Sequence, residues 1–210
     1  MLFGTDWQVE LGPLTTAAGV VRLRPIRARD GRQWSRLRLL NRAELEPWEP
    51  SGEVNWQRRH TASQWTPLCA SLRSQARSGT IVPLVIEVDG AYAGQITIGN
   101  ITRGQLQSAW VGYWVDRQVT GRGVATAAVA LAVDHCFGSL RLHRVDATVR
   151  PENAGSRAVL RNSGFREEGL LRRYLHVDGG WRDHLLVAIT AEEVADSMVA
   201  RVVRSGRARF

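Results

Sequence analysis

Cysteine is scarce: Cys69 and Cys136 are the only thiols in a chain of 210 residues. They stand far apart, with no Cys-x-x-Cys or zinc-type spacing, which argues against a disulfide framework and a structural zinc site. No metal is expected. Both lie in apolar helical contexts and read as buried free thiols. Long apolar runs are missing too, and nothing approaches the roughly 18 residues of a membrane-spanning helix. Met1-Leu2-Phe3-Gly4-Thr5-Asp6 has no basic region and no long apolar stretch, so no signal peptide and a cytoplasmic location are expected. Acidic residues are the minority, 20 Asp+Glu against 28 Lys+Arg, which leaves a net charge of +8 carried by arginine. That balance suits an anionic partner such as a pyrophosphate group, an acidic protein or the ribosome surface, and it also suits an arginine-rich coding bias. A basic block with interleaved aromatics is absent, and so is any nucleic-acid module signature. Direct nucleic-acid binding is therefore not expected. Neither a repeat nor a low-complexity linker divides the chain.

What is present is a folding composition, 44% hydrophobic and 23% charged, in a length that suits one domain with a sizeable core. The chain is organised around one strand–turn–helix segment. Residues 109–115 alternate like a strand, and 124–133 read as an apolar helix. Between them lies Gln118-Val119-Thr120-Gly121-Arg122-Gly123. A helix entered this way leaves several backbone N–H groups unpaired, with the positive end of the helix dipole behind them. A phosphate fits there without a charged side chain, and glycines allow its close approach. A Walker ending is absent, because no Lys follows Gly123. The dinucleotide fingerprint is incomplete, because Thr126 stands where the third small residue belongs.

In chain order, residues 1–19 read as an irregular extension and 20–26 as a strand. Asp30 reads as the N-cap of a helix running to about Glu44. A second helical stretch covers 56–77, with Pro67 expected to break or kink it. Strands follow at 81–88, 92–101 and up to 115, then the glycine turn and a helix to about Phe137. Residues 144–149 are a strand, 151–164 a short helix, 165–174 and 181–189 two strands, and 192–203 a modest helix. The expected architecture is α/β (α+β), one domain over 20–195, with a basic tail at 196–210 expected to be frayed.

Four segments carry a resemblance. Gln118-Val119-Thr120-Gly121-Arg122-Gly123 matches the Q/R-x-x-G-x-G/A pyrophosphate loop of the GCN5-related N-acetyltransferases. Asn153-Ala154-Gly155-Ser156 through Gly164-Phe165 looks like that family's N-x-x-S…G-F element. Asn41-Arg42 through Leu45-Glu46-Pro47-Trp48 and Asp178-Gly179-Gly180-Trp181-Arg182-Asp183-His184 resemble two segments of its RimJ/RimL-type branch, the ribosomal-protein-alanine N-acetyltransferases. The resemblance implies a mixed, mostly antiparallel sheet of six to seven strands, splayed near its middle, with helices on both faces. It implies acetyl transfer from acetyl-CoA to a protein N-terminal α-amine, by direct attack in a ternary complex.

By position, the resemblance assigns coenzyme A to Trp114, Val115, Gln118, Gly121, Arg122, Gly123, Val124, Ala125, Thr126 and Asn153, with Arg117 as a further charge. Trp114 reads equally well as core packing. Many relatives protonate the departing thiolate with a Tyr where this chain has Leu160, and the RimJ/RimL branch places a Ser at Ser156 instead. Ser156 is thus the expected proton donor, with Asn153 beside it. A helix N-cap at Asn153 with Ser156 in the first turn is the plainer reading, and the two are compatible. Many relatives carry a basic Glu where this chain has Trp110. Glu46, Glu49 and Glu87 are candidate replacements. Glu46, Trp48, Glu49, Trp110, Tyr174 and Asp183 are expected to meet the acceptor, with a solvated loop face as the alternative for the glutamates.

Two other functions remain open on sequence alone. One is acetylation of a small amine such as an antibiotic or a polyamine. The other is a non-catalytic CoA-binding, ribosome-associated factor, which Trp110 and Leu160 suggest. Either a monomer or a homodimer fits.

Overall fold

The computed structural model describes residues 7–209; Met1–Asp6, where no signal was read, lie outside them. Strands β1 (Leu11–Thr16), β2 (Gly19–Pro25), β3 (Val82–Val88), β4 (Ala91–Thr102), β5 (Ser108–Val115), β6 (Arg144–Val149), β7 (Arg166–Val177) and β8 (Gly180–Thr190) form one sheet. Its order is β1-β2-β3-β4-β5-β6-β8-β7. Every neighbouring pair is antiparallel except β5–β6. The sheet therefore has eight strands, not six or seven. The addition is β1, inside the segment read as irregular. Gly12 and Pro13 punctuate it, yet Pro13 sits on a sheet edge at a register shift, where its missing N–H breaks no ladder. Leu14 anchors β1 in the core.

Helix α1 (Gly31–Leu40) is followed by α2 (Arg42–Leu45), α3 (Trp56–Arg59) and α4 (Ala62–Arg77). Helices α1 and α4 cover one face of β3 and β4. There Ile26, Trp34, Trp65, Cys69 and Val85 form a small core. Helix α5 (Val124–Phe137) lies on the other face with α6 (Ala154–Asn162) and α7 (Met198–Arg204), over the large core. Both cysteines are buried free thiols. Strand alternation divides β5 accordingly: Ala109 and Val111 face the α5 side, while Trp110 and Trp114 face the α1 side.

Four local expectations change. Asp30 precedes α1 but does not cap it; its carboxylate takes both terminal nitrogens of the buried Arg24, each at 2.9 Å. The 56–77 stretch breaks at His60–Thr61, and Pro67 lies within α4. The 192–203 helix begins only at Met198, after a 3-10 turn at Ala191–Glu193. Its first N–H groups are held by the Asp134 carboxylate, with 2.6 Å from Met198 N and 3.0 Å from Val199 N. The tail is built in rather than frayed. Met198 and Val202 are fully buried, and Arg209 pairs with Thr15 through two backbone hydrogen bonds of 2.8 and 2.9 Å.

Candidate active site

The site is set by a divergence of two strands. Strands β5 and β6 pair only at Ser108–Arg144, Ala109–Val145 and Trp110–Asp146. Beyond Trp110, β5 stays on β4 as far as Val115 while β6 follows β8 to Val149. The edge of residues 111–115 that faces β6 thus has no strand partner, and it offers peptide groups to an extended amide-bearing ligand. This region contains Trp114 and Val115. The Trp114 indole is itself packed: it lies 5.0 Å from the Arg38 guanidinium and donates to Gln95 Oε1 at 3.2 Å.

At the open end β5 passes into a 3-10 turn, Arg117–Val119, and then α5. Two side chains fix this turn. Buried Asp116 accepts from Gln118 N at 3.3 Å. Buried Asn41, at the end of α1, accepts from Arg117 N at 2.8 Å and donates to the Leu37 carbonyl at 2.8 Å. Gly121 and Gly123 both take left-handed backbone angles, with φ of 75° and 88°. Space is open beside Gly121, whereas a Cβ on Gly123 would lie 2.9 Å from the Arg207 carbonyl. Gly123 is the N-cap of α5, and the helix's first backbone bond is from Ala127 N to Gly123 O. The N–H groups of Val124, Ala125 and Thr126 precede that bond and have no intrahelical acceptor. Arg122 reaches back to the Ala17 carbonyl at 2.5 Å, and Arg117 lies 3.5 Å from Glu44.

Across the opening stands the start of α6. Asn153 is its N-cap, accepting from Ser156 N at 3.0 Å. The Ser156 hydroxyl meets the Tyr113 hydroxyl of β5 at 3.0 Å. Burial pushes the Tyr113 phenol pKa up, so it keeps its proton across the physiological range. Leu160 is fully turned into the core.

The other residues lie on the α1 side of the sheet or around it. Trp110 is 41% exposed, its ring laid against Gly99, where a Cβ would come within 2.2 Å. Glu49 is engaged by both terminal nitrogens of Arg38, whose guanidinium also lies 4.8 Å from Trp56. Glu46 pairs with Arg42 at 2.5 Å, Glu87 with Arg24 at 2.6 Å, and Trp48 lies beneath Arg150 at 5.3 Å. Asp183 accepts from Arg173 N at 2.7 Å and closes an irregularity in β7. Tyr174 meets buried His184 edge-on at 5.7 Å. The loop carrying Glu49 is bound to the end of β7 by Ser51 N donating to the His176 carbonyl at 2.8 Å. All four carboxylates thus already have partners. The sequence reading gave no role to Tyr113, Arg38 or Asp116, and quoted Asn41 without one. Among the described residues no group of three or more His, Cys, Asp or Glu is placed to hold a metal, and no helix is long and apolar enough to cross a membrane.

The profile of the acetyltransferase (GNAT) domain matches residues 21–166, which include the diverging strands, the glycine turn and α6. The chain belongs to the GCN5-related N-acetyltransferase family. This acetyltransferase is 29% identical over 194 residues to the [ribosomal protein uS5]-alanine N-acetyltransferase of Escherichia coli, covering 91% of this chain and 97% of that one. It is 43% identical over 101 residues to the probable N-acetyltransferase YjcK of Bacillus subtilis, spanning 48% of this chain and 56% of that protein. Among solved structures it is similar to Mycobacterium smegmatis RimJ in complex with CoA-disulfide. That match has 57% identity, covers 97% and 98% of the two chains, and has a TM-score of 0.96. As an acetyltransferase of this family it is an acyltransferase, and acetyl-CoA is the family's acetyl donor.

Proposed function

We propose that this protein transfers the acetyl group of acetyl-CoA to the N-terminal α-amine of a protein, with the alanine of a ribosomal protein as acceptor. The observation that carries the reading is the opening between β5 and β6, flanked by the unpaired N–H groups of α5 and the Ser156 hydroxyl. The N–H groups of Val124, Ala125 and Thr126 and the open loop at Gly121 would hold the pyrophosphate, with Arg117, Gln118 and Arg122 close by. The free edge of β5 at Trp114 and Val115 would bind the pantetheine amides. A peptide donor there would also polarise the thioester carbonyl toward attack. Asn153, whose Oδ1 caps α6, keeps its amide N–H₂ for the cofactor. Ser156 would then face the sulfur.

The acceptor would enter from the α1 side, past Trp110, Tyr174 and the loop of Glu46, Trp48 and Glu49. Because Trp110 replaces a carboxylate, the amine must lose its proton with little help. An α-amine of pKa near 7.8 is roughly one-seventh neutral at pH 7, against about 0.04% for a lysine near 10.4. The corresponding costs are about 1 and about 4.6 kcal/mol. The smaller cost favours an N-terminal acceptor. A polyamine acceptor would call for an acidic pocket.

The test is thiol release from acetyl-CoA with peptides bearing free N-terminal Ala, Ser or Met, beside N-blocked peptides carrying Lys. Release with free N-termini alone is expected. Release with Lys peptides alone would overturn the acceptor class.

A further inference from the structure

Ser156 is a weak acid on its own, and the structure gives it a companion that the motifs did not. The two hydroxyls come from opposite walls of the opening. Tyr113 belongs to the part of β5 that has already left β6, two residues before the strand ends. Ser156 sits in the first turn of α6, its backbone N–H fixed by Asn153. Their oxygens are 3.0 Å apart, and the phenol is also 3.3 Å from the Ser156 carbonyl. No other hydrogen-bonding side chain reaches either hydroxyl among the described residues. Leu160, at the position where many relatives have a Tyr, is a core residue and cannot take part.

We propose that Tyr113 is a positioning residue for the acetyl transfer, donating its O–H to Ser156 Oγ and so turning the Ser156 hydrogen toward the sulfur of acetyl-CoA. This rests on the function proposed above. The phenol is buried and stays protonated, so it acts as a fixed donor and not as a source of the proton. When Tyr113 fills one lone pair of Oγ, the serine O–H becomes more polar, because hydrogen bonds in a chain reinforce one another. The amine attacks the thioester carbon, forming the C–N bond. The C–S bond then breaks, and its electron pair goes to sulfur. Ser156 stabilises that developing thiolate with its O–H. The proton that finally makes the thiol is the one lost by the acceptor nitrogen. The balance is amine plus thioester to amide plus thiol, and both hydroxyls end unchanged.

The experiment is a double-mutant cycle of Tyr113→Phe and Ser156→Ala, read as thiol release with the best acceptor peptide and, separately, with water as the only acceptor. The second arm makes the outcome independent of the acceptor class. Tyr113→Phe is expected to lower kcat about tenfold, the effect of one hydrogen bond in a transition state. KM for acetyl-CoA should stay within about twofold, and the thermal midpoint within about 3 °C. In the Ser156→Ala background the same change should have no further effect. Equal losses in both backgrounds would make Tyr113 a packing residue and overturn the inference. So would full activity of Tyr113→Phe beside an impaired Ser156→Ala. Full activity of Ser156→Ala would overturn the serine assignment and this inference with it. A wild-type protein that releases no thiol in either arm would overturn the proposed function as well, whereas release with water but with no peptide would overturn the acceptor class alone.

Discussion

His60 is a titratable group that the fold holds neutral. Its ring packs tilted against Trp56, with centroids 4.0 Å apart, and against Trp34 at 5.3 Å. Its Nδ1 donates to the Trp56 carbonyl at 2.8 Å, and Nε2 accepts from Arg38 at 3.0 Å. Burial, reinforced by the Arg38 charge, pushes its pKa down to about 4. The unfolded chain, with an ordinary histidine near 6.5, binds the proton more readily than the folded one between those values. Stability is therefore whole above about pH 6.5 and falls as pH drops toward 4. His60→Gln should flatten that limb of a plot of thermal midpoint against pH. An unchanged slope would assign the acid sensitivity elsewhere. The consequence is local to the acceptor side, because the same Arg38 holds Glu49 and packs on Trp114. These contacts join residues 11 to 76 positions apart, which no spacing rule in the sequence reaches. Tyr113 escaped for a similar reason: its partner is 43 residues away, and no spacing rule reaches across two walls of a cleft. Asn153 and Ser156 were legible because both belong to one helical turn, where three-residue spacing has a fixed geometry.

At the scale of elements, strong periodicity outweighed punctuation. The sequence placed β6 at 144–149 and the end of α5 at Phe137, as found. Both are long or strictly alternating patterns, bounded by polar or glycine residues. It read Pro67 as a break or a kink, and α4 runs through it unbroken. Trp65, Cys69 and Leu72 lie three to four residues apart and pack as one stripe into the smaller core, and buried Ala76 continues the same spacing. That stripe holds α4 together across the proline. The strain remains, because Pro67 cannot donate to the Ser63 carbonyl and its ring crowds that turn. A helix-interior proline costs about 3 kcal/mol, offset by about 0.4–1 kcal/mol of lost freedom in the unfolded chain. Pro67 is exposed, so Pro67→Ala changes little packing. It should stabilise the protein by roughly 2 kcal/mol, seen as a higher urea midpoint at constant slope. A lower midpoint would mean that the turn around Pro67 is shaped to need it.

At the scale of the molecule, β1 and the segment after α7 meet at the glycine turn before α5. Strand β1 pairs with the tail at Thr15 and Arg209, the turn after β1 receives Arg122, and Gly123 lies against the Arg207 carbonyl. The sequence read residues 1–19 as irregular and the tail as frayed, because short strands with glycine and proline, and helices of seven residues, carry weak signals. The packing shows β1 and the tail held in place. Met198 and Val202 have no exposed surface, and Ala208 is buried beside them in the same core as α5. Burying a Met and a Val side chain contributes roughly 3–6 kcal/mol together, a large share of the 5–15 kcal/mol that separates a domain from its unfolded state. A chain ending at Asp196 should therefore melt about 10–20 °C lower, if it folds at all. A chain ending at Gly206 loses only Ala208 and the pairing with Thr15, and should melt a few degrees lower. Its larger defect should be in acetyl-CoA affinity, because Gly123 loses the backbone that braces the entry to α5. Thermal melts with and without acetyl-CoA separate the two effects. Equal midpoints for the Asp196 and full-length chains would show that α7 packs without stabilising. Unchanged affinity in the Gly206 chain would show that the loop holds its shape without the tail.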